Sequence, residues 1–418
     1  MDQDLNSERK SEKCCKIFSE GKDCICSLPT GYGKSLIYEL LPFLDTGCLV
    51  VVVVPLNAIL NQQMEKLGDL AMSLCPGKVD FNKLKTGKYS YLFCHPEQIL
   101  DNKALNEVFR TEGLSGRKIY LVVDEAHCIL EWGEEFRPDF KRLFQLRSLC
   151  KCQVLALSAT VTDAGKKCIC SSLLMKNVEI ISESPAKDNI SLTVKRRPSP
   201  TASGNSSTTP YDYIFHPVIT KLKHELQDFE ITIIYCKSMQ WIGYGYETAR
   251  RILGTDFYAG DSKLEHARVV MFHSSMEKES GQLKNMILTS LQKPDAECRI
   301  RLIISSVALG MGADLKNVKR IIHAGPPTSL ETYIQEIGRA GRTGSVAEAV
   351  LYFNNSDISG QCMRKDMQDY CRNNEKCRRD IINDHFGFQT KEKPTICCNF
   401  CDSQLCIEWD FSNLAINK

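Results

Sequence analysis

The chain has 418 residues, enough for two or three domains, and contains no run of about 18 apolar residues that would predict a membrane-spanning helix. Its 53 basic and 51 acidic residues leave a net charge of +2, which excludes a protein that binds polyanions through overall positive charge. The first ten residues are polar and lack a signal-peptide core, so we expect the 21 cysteines to be reduced, and clusters of them indicate metal sites rather than disulfides.

Apolar strand-like runs alternate with segments of helical spacing, such as 35–44 and 56–67, in two successive series. This alternation is typical of doubly wound parallel α/β domains. The first series predicts strands at 24–28, 49–54, 89–94, 119–123 and 154–157. The second series predicts strands at 231–235, 269–272, 301–305, 320–323 and 349–353, and a charged, cysteine-rich tail follows.

The segment 195–210 between the two series is rich in Ser, Thr, Pro and Gly, which predicts a disordered linker or insert. Its charged start, Lys195 to Arg197, could contact phosphate or act as a targeting signal, although a solvated charge run is the simpler interpretation. We therefore divide the chain into lobe 1 (1–185), lobe 2 (186–355) and a tail module (356–418).

A phosphate-binding loop is indicated by Leu28-Pro-Thr-Gly-Tyr-Gly-Lys-Ser35, which follows a predicted strand and opens a predicted helix. Glycines allow the backbone N–H groups to face phosphates, Lys34 would neutralise charge, and the Ser35 hydroxyl would bind Mg²⁺. Leu28 replaces the first glycine of the general pattern. The predicted nucleotide-binding residues are Thr30, Gly31, Tyr32, Gly33, Lys34 and Ser35.

Two adjacent carboxylates, Asp124 and Glu125, end a buried strand-like run. Mg²⁺ needs hard oxygen ligands, so Asp124 is the candidate metal ligand, and Glu125 could polarise the attacking water. The alternative is the solvated start of a loop, but the phosphate-binding loop elsewhere in the chain makes a catalytic role the better hypothesis.

The motif Asp124-Glu-Ala-His127 and the following sequence to Phe140 resemble motif II and the aromatic-rich loop of the RecQ helicases, a superfamily 2, DEAH-box family. The resemblance implies a catalytic role for His127 as well. Trp132 and Phe136 could stack on unpaired bases with Arg137 beside them, and the alternative that both aromatics are core residues is the less favoured one.

Further segments resemble helicase motifs in chain order. Val53-Val-Pro-Leu-Asn57 is similar to motif Ia, and the segment His95-Pro96-Glu97 is similar to one that contacts the tracking strand. Leu157-Ser-Ala-Thr160 resembles motif III, Ile234-Tyr-Cys-Lys-Ser238 motif IV, and the segment 305–314 motif V.

The segment 333–344 resembles motif VI, with Gln335, Arg339 and Arg342 as its functional side chains. Two arginines three residues apart on a helix share a face, so we expect both to reach across the cleft between the lobes to the γ-phosphate. Helix arginines are usually solvated, and the motif alone favours this catalytic role.

One departure concerns the adenine-reading residues of the family. Counting back from Gly21, the glutamine position falls on Ser11 and the aromatic position on Ser7, so this motif is expected to be absent. Phosphate binding should persist, but selectivity for the base is in question.

The tail resembles the zinc-binding module of the same family. The resemblance implies a Cys₄ zinc site, with Cys377, Cys398, Cys401 and Cys406 as ligands and Cys397 as the rival of Cys398. Four residues separate Cys401 from Cys406, more than the family usually has.

Taken together, the resemblance implies an α/β fold of two RecA-like lobes in tandem plus a small helical zinc-binding module. It implies an ATP-dependent 3′→5′ DNA helicase that uses ATP, Mg²⁺ and Zn²⁺, acts on single-stranded and forked or structured duplex DNA in repair or recombination, and lies in the nucleus, or in the cytoplasm of a bacterium. The chain leaves no room for a winged-helix domain, so weak unwinding is expected.

Two alternatives stay open. A DEAD-box-like RNA helicase would share most motifs, although Asp-Glu-Ala-His and the cysteine tail argue against it. A catalytically weak or non-catalytic DNA-binding protein derived from a helicase is favoured by the missing adenine motif and opposed by Lys34, Glu125, Arg339 and Arg342.

Overall fold

The computed structural model describes residues 10, 12–18, 20–74, 81–110, 116–131, 138–149, 152–198, 211–273, 276, 282–306, 315–390, 392–403 and 405. The chain divides into two compact units, Met1–Pro185 and Ala186–Lys418. The cysteine-rich tail therefore belongs to the second unit. Within the described ranges, no helix is both long and apolar enough to cross a membrane.

The first unit contains a seven-stranded sheet, and every strand pair in it is parallel. Its strands are β1 (Cys24–Ser27), β2 (Leu49–Val53), β3 (Ala71–Ser73), β4 (Tyr91–Cys94), β5 (Ile119–Val123), β6 (Gln153–Ser158) and β7 (Glu179–Ser182), in the spatial order β3-β4-β2-β5-β6-β1-β7. Its helices are α1 (Lys34–Leu44), α2 (Asn57–Leu67), α3 (Phe81–Lys85), α4 (Pro96–Leu100), α5 (Lys103–Arg110), α6 (Cys128–Glu131), α7 (Phe144–Leu149) and α8 (Asp163–Ser172).

Both faces of this sheet are buried, which explains why β2 is a continuous valine run rather than an alternating one. Val51 and Val53 belong to the core on one face, and Val50 and Val52 belong to the core on the other. Because all strands run the same way, the carboxyl ends of β1, β5 and β6 meet at one edge of the sheet, where open α/β sheets bind their ligands.

The second unit contains a six-stranded parallel sheet in the order β10-β11-β9-β12-β13-β8. Its strands are β8 (Ile190–Arg196), β9 (Thr232–Tyr235), β10 (Val269–Phe272), β11 (Leu302–Ser305), β12 (Arg320–Ala324) and β13 (Ala347–Phe353). Its helices are α9 (Asp212–Glu225), α10 (Met239–Leu253), α11 (Gln282–Gln292), α12 (Leu330–Ile337), α13 (Asn355–Ile358), α14 (Lys365–Arg372) and α15 (Arg378–Phe386). Short 3₁₀ helices complete the two units at Gly68–Leu70, Pro138–Arg142, Leu226–Asp228, Gly254–Phe257 and Leu264–His266.

The prediction of two doubly wound parallel α/β lobes is confirmed, and the linker prediction needs a correction. Lys195 and Arg196 are the last residues of β8, which pairs with β13. Arg197 is buried, and its Nη2 atom donates to both carboxylate oxygens of Asp357, at 2.9 and 2.8 Å. The start of this segment is therefore structural rather than a solvated charge run, while residues 199–210 lie outside the described residues.

Candidate functional site

The loop after β1 holds the predicted phosphate-binding residues. Gly31 and Gly33 have φ angles of 90° and 68°, in the left-handed region that favours glycine. Gly33 immediately precedes α1, so the N-terminal end of this helix, where its dipole is positive, lies at the loop. Thr30 and Tyr32 are half-buried between these turns. The local backbone is thus suited to an anion.

Lys34 and Ser35 are the first two residues of α1. The Lys34 ammonium donates to the carbonyl oxygens of Leu28, at 2.9 Å, and Pro29, at 3.3 Å, which keeps its charge inside the loop. One turn later, burial raises the pKa of Tyr38 well above its usual value, and the negative charge of Asp124 raises it further. The loop and the acidic strand end therefore form one electrostatic site.

Asp124 lies directly after β5 and is 7% exposed. Burial, reinforced by Glu125, raises the pKa of Asp124 to about 7, although the Lys34 ammonium opposes the shift. A carboxylate whose ionised form is this unfavourable gains strongly from a nearby cation. Ser35 and Asp124 offer the hard oxygen ligands that Mg²⁺ prefers, so the residues present fit the predicted metal.

Glu125 has a left-handed backbone conformation, with φ of 49°, which is unusual for a residue with a side chain. Its N–H donates to the Asp124 carboxylate at 2.9 Å, and the next N–H, that of Ala126, donates to the carbonyl of Leu157 on β6 at 2.8 Å. Such strain persists only where neighbouring contacts enforce it, and it is concentrated at functional sites.

His127 connects the acidic pair to β6. Its Nδ1 atom lies 3.2 Å from the hydroxyl of Ser158 and 3.4 Å from a carboxylate oxygen of Glu125. The imidazole is 2% exposed, so these contacts replace water for it. The predicted motifs II and III are therefore in direct contact within the first unit.

The predicted DNA-contact segment after β4 is anchored by His95. The two ring nitrogens of His95 lie 2.8 Å from the Val54 carbonyl and from the Asn57 side-chain oxygen, which ties this segment to motif Ia. Pro96 begins α4 and is buried, which is a correction to its prediction as a DNA-contacting side chain. Glu97 is exposed beside it.

Several predicted residues lie outside the described residues. They are Trp132, Phe136 and Arg137 of the aromatic loop, Ser7 and Ser11 of the adenine-reading segment, residues 307–314 of motif V, and Cys406.

The predicted helix of motif VI ends before its arginines. Helix α12 stops at Ile337, and Arg339 and Arg342 lie in the turns at 338–343 that follow, while Gln335 is half-buried on the helix. Gly341 has a φ of 59°, and its N–H donates to the Val318 carbonyl instead of continuing the helix. The expectation of a shared helix face was wrong, because the helix ends before Arg339 and the chain turns away at Gly341, whose left-handed backbone favours glycine.

Arg339 lies among the buried polar groups at the carboxyl end of β9. Burial raises the pKa of Tyr235 above its usual value, and the nearby Arg339 guanidinium partly offsets this shift. The Tyr235 ring stacks on His323, whose Nε2 lies 2.7 Å from the carboxylate of Glu336. Arg339 is 5% exposed, and Arg342 is half-buried.

Four cysteine sulfurs meet in the tail: Cys377, Cys397, Cys398 and Cys401, all within 4.8 Å of one another. Cys377 Sγ lies 3.5 Å from Cys397 Sγ and 3.7 Å from Cys398 Sγ. Cys397 therefore joins Cys398 in the cluster, whereas it was predicted as its rival. The sequence could not separate two adjacent cysteines, because either could turn inward from a loop.

This cluster fits a tetrahedral thiolate site. Zn–S bonds of about 2.3 Å imply sulfur separations of about 3.8 Å, close to those observed. Burial alone would raise the pKa of the Cys398 thiol, but backbone N–H groups of Arg378, Cys401 and Phe400 lower it to about 7, which favours the thiolate that binds metal.

Comparison with known families gives two matches. The sequence profile of the DEAD/DEAH box helicases matches residues 9–167, and that of the helicase conserved C-terminal domain matches residues 217–344.

Three curated relatives cover most of this chain. The ATP-dependent DNA helicase hus2/rqh1 of Schizosaccharomyces pombe is 28% identical over 90% of this chain and 29% of its own length. The ATP-dependent DNA helicase Q1 of Mus musculus is 28% identical over 87% of this chain and 55% of its own length. The RecQ-like DNA helicase BLM of Xenopus laevis is 29% identical over 91% of this chain and 28% of its own length. The chain thus spans between about a quarter and about half of these relatives.

Solved structures share the fold at low sequence identity. The helicase MrfA bound to DNA has a TM-score of 0.65 at 15% identity, covering 94% of this chain and 49% of its own. The DEAD-box helicase Mss116 bound to single-stranded RNA has a TM-score of 0.63 at 18% identity, covering 93% and 75%. The architecture is therefore that of tandem RecA-like helicase lobes.

Proposed function

Because the chain belongs to the RecQ family of DEAD/DEAH-box helicases, we propose that it is an ATP-dependent DNA helicase that moves 3′→5′ on single-stranded DNA and separates duplexes in repair or recombination. The observation that carries the proposal lies in the first unit. The Lys34 loop and the strained Asp124-Glu125 pair form one electrostatic site at the edge where β1, β5 and β6 end.

In the proposed reaction, ATP phosphates bind the backbone N–H groups of Thr30 to Gly33 and the ammonium of Lys34. Ser35 and Asp124 would hold Mg²⁺, which would supply positive charge beside the phosphates. Glu125 orients and polarises the attacking water. His127, which contacts both the Glu125 carboxylate and the Ser158 hydroxyl on β6, holds that carboxylate in position.

Gln335, Arg339 and Arg342 complete the proposal. A guanidinium that acts on the nucleotide stabilises the charge that develops on the transferring phosphoryl group. We assign that role to Arg339 and Arg342 and a water- or nucleotide-contacting role to Gln335. The partner nucleic acid would be single-stranded and forked DNA, contacted by Trp132, Phe136, Arg137 and Glu97, with Pro96 setting the start of α4.

The domain assignment is part of the same proposal. Lobe 1 is 1–185, lobe 2 is 186–355, and 356–418 is a zinc-binding module in which Cys377, Cys397, Cys398 and Cys401 hold one Zn²⁺. Cys406 stays a candidate ligand from the sequence. A nuclear location is proposed because the matched relatives are DNA helicases.

A hydrolysis assay with three nucleic-acid conditions tests the proposal. ATP turnover is measured without nucleic acid, with single-stranded DNA and with single-stranded RNA, and strand displacement is measured on duplexes with 3′ or 5′ tails. We expect DNA-stimulated turnover that falls at least about 100-fold in Lys34→Ala, with displacement from 3′ tails. Lys167→Ala, which removes an exposed lysine of the same unit, is the matched control.

The other outcomes identify the competing functions. Stimulation by RNA and not by DNA would indicate an RNA helicase. DNA binding without Lys34-dependent hydrolysis would leave only a non-catalytic binding protein. Trp132→Ala should reduce DNA stimulation more than basal turnover, because base stacking contributes to strand binding.

A further inference from the structure

The segment 187–190, which leads into β8, forms hydrogen bonds to the turn that carries the two motif VI arginines. Lys187 Nζ donates to the Gly338 carbonyl at 2.8 Å. The side-chain amide of Asn189 donates to two carbonyls, that of Gly341 at 2.8 Å and that of Ser345 at 2.7 Å. These three bonds contact the first residue of the turn, Gly338, its interior at Gly341, and Ser345 just beyond its end.

The turn depends on such external partners because it has left the helix. Gly341 lies between Arg339 and Arg342 and has a positive φ. A Cβ added to it would collide with the Asn189 amide and come within 2.8 Å of the Ser345 carbonyl. The backbone is therefore closely wrapped around the Asn189 side chain. A substitution at Asn189 should therefore directly alter the backbone conformation of the turn that carries Arg339 and Arg342.

The same segment is held from its other side by the cysteine-rich tail. The Arg379 guanidinium, 1% exposed, donates to the carbonyls of Lys187 at 2.8 Å and Ile190 at 2.9 Å. Arg379 lies on α15, which begins directly after the cluster residue Cys377. The cysteine cluster, the segment and the arginine turn are therefore joined by consecutive direct contacts.

We propose that Lys187 and Asn189 are positioning residues for Arg339 and Arg342, and that Arg379 extends this support to the cysteine cluster. Lys187 and Asn189 lie outside every motif identified in the sequence, so no local pattern singled them out. The inference rests on the proposed ATP hydrolysis, in which the arginines act on the phosphoryl group. It predicts that loosening the segment slows the chemical step while nucleotide binding by the first unit persists.

Steady-state kinetics and hydrogen exchange on the full chain test the inference together. In Asn189→Ala we expect DNA-stimulated kcat to fall at least about 10-fold, with KM for ATP within about 2-fold of wild type. Amide exchange should rise in peptides covering 338–346. Lys187→Ala should show the same pattern more weakly, and Lys187→Arg, which keeps a donor, should restore most of the loss.

Controls separate positioning from general damage. Gln227→Ala removes a side-chain amide that donates to the Cys298 carbonyl at 2.8 Å elsewhere in the same unit, and it should leave kcat and exchange at 338–346 unchanged. In a background in which Arg339 and Arg342 are both replaced by alanine, Asn189→Ala should lower kcat by less than about 2-fold, because both groups that it positions are already gone. Additive losses would overturn the inference.

The exchange measurement keeps the inference apart from the proposed function. Unchanged exchange at 338–346 in Asn189→Ala overturns the inference, whether or not the wild type hydrolyses ATP. A wild type without Lys34-dependent hydrolysis refutes the proposed function. In that case the exchange pattern alone decides whether Lys187 and Asn189 hold the turn that carries Arg339 and Arg342. For the Arg379 link, Cys377→Ser should raise exchange at 187–190, and Cys362→Ser, which changes an exposed cysteine, should not. Equal exchange in these two variants refutes the link.

Discussion

The ring of His127 lies within hydrogen-bonding distance of the Ser158 hydroxyl, 3.2 Å from Nδ1 to Oγ, so the strand end that carries the acidic pair is tied to the neighbouring strand β6. Ser158 also accepts a backbone bond from Thr160 and presents its own carbonyl to the N–H of Leu28 at the start of the phosphate loop. One serine therefore contacts both halves of the nucleotide site in the first unit.

Ser158→Ala should lower DNA-stimulated kcat about 5- to 10-fold and leave the Kd for ATP nearly unchanged. The lost hydrogen bond is worth about 1 kcal/mol, and it orients His127 and, through it, Glu125 rather than holding phosphate. Turnover and nucleotide binding are measured on the same preparation. Ser191→Ala, a buried serine of β8, serves as the control, and an unchanged kcat in Ser158→Ala would contradict this connection.

Glu125→Gln should bind ATP normally and lose at least about 100-fold in turnover. The amide keeps the size of the side chain but cannot polarise water as a carboxylate does. Binding by a fluorescent nucleotide and hydrolysis at saturating DNA are compared with Glu179→Gln, which alters a half-exposed carboxylate on β7. Turnover within about 3-fold of wild type would remove Glu125 from the mechanism.

Cys398→Ser should lower bound zinc from one ion per chain to a small fraction and reduce Tm by several degrees. Cys398 is fully buried and belongs to the cluster, so its loss removes a ligand and leaves a polar hydroxyl in its place. Elemental analysis and thermal unfolding are measured beside Cys362→Ser. Wild-type protein that contains no metal and is stable would end the zinc assignment.

The sequence predicted strands best where both faces are buried. The runs at β2 and β5 are apolar throughout, and β5 was placed at its observed bounds. The strands β3 and β7 were missed because they are short edge strands with partly exposed residues, which weakens the apolar signal. β8 was missed because its charged end, at Lys195 and Arg196, was assigned to the linker.

The candidate site was predictable in its motifs and unpredictable in its local geometry. Residue types identified the phosphate loop and the acidic pair, but the contact of His127 with Ser158 depends on strand order, which no local pattern encodes. The motif's spacing suggested a helix through Arg342, whereas α12 ends at Ile337 and the chain turns at Gly341; glycines at 338 and 341 have low helix propensity, and the motif pattern does not reveal this.

The stability of the second unit should depend on pH through His385. Burial alone would lower the pKa of His385, but the hydrogen bond from its Nε2 to Glu331 at 3.0 Å and the charges of Glu331 and Asp366 raise it above its usual value near 6.5, with Arg364 opposing them. Glu331 itself has a lowered pKa, since its interactions with His385, its backbone hydrogen bond and Arg364 outweigh the effect of burial, which would raise it.

The sign of the effect follows from these two directions. A raised histidine pKa gives stability that is complete below about 6.5 and is lost as pH rises through the higher folded value. The lowered pKa of Glu331 gives stability that is present above about 4.5 and is lost as pH falls through the folded value. The pair should therefore contribute most between about pH 4.5 and 6.5, by about 1 kcal/mol or less, because it is partly exposed.

Chemical unfolding from pH 5 to 8 measures this contribution. The difference in unfolding free energy between wild type and His385→Gln should shrink as pH rises. His224→Gln, at the end of α9, is the control because it lies on an exposed part of the same unit. A constant difference across the range would show that the ion pair does not stabilise the fold.

The loop at Cys397 and Cys398 also covers β8, an edge strand of the six-stranded sheet. On the edge strand β8, the N–H of Leu192 donates to the Cys397 carbonyl at 3.1 Å, and the Leu192 carbonyl accepts from the Asn399 N–H at 3.0 Å. The side-chain amide of Asn399 accepts from the Val194 N–H and donates to the Val194 carbonyl. An uncovered border strand invites pairing with another chain. If the cysteine loop comes away, the protein should be lost to self-association and precipitation before slower turnover can be observed.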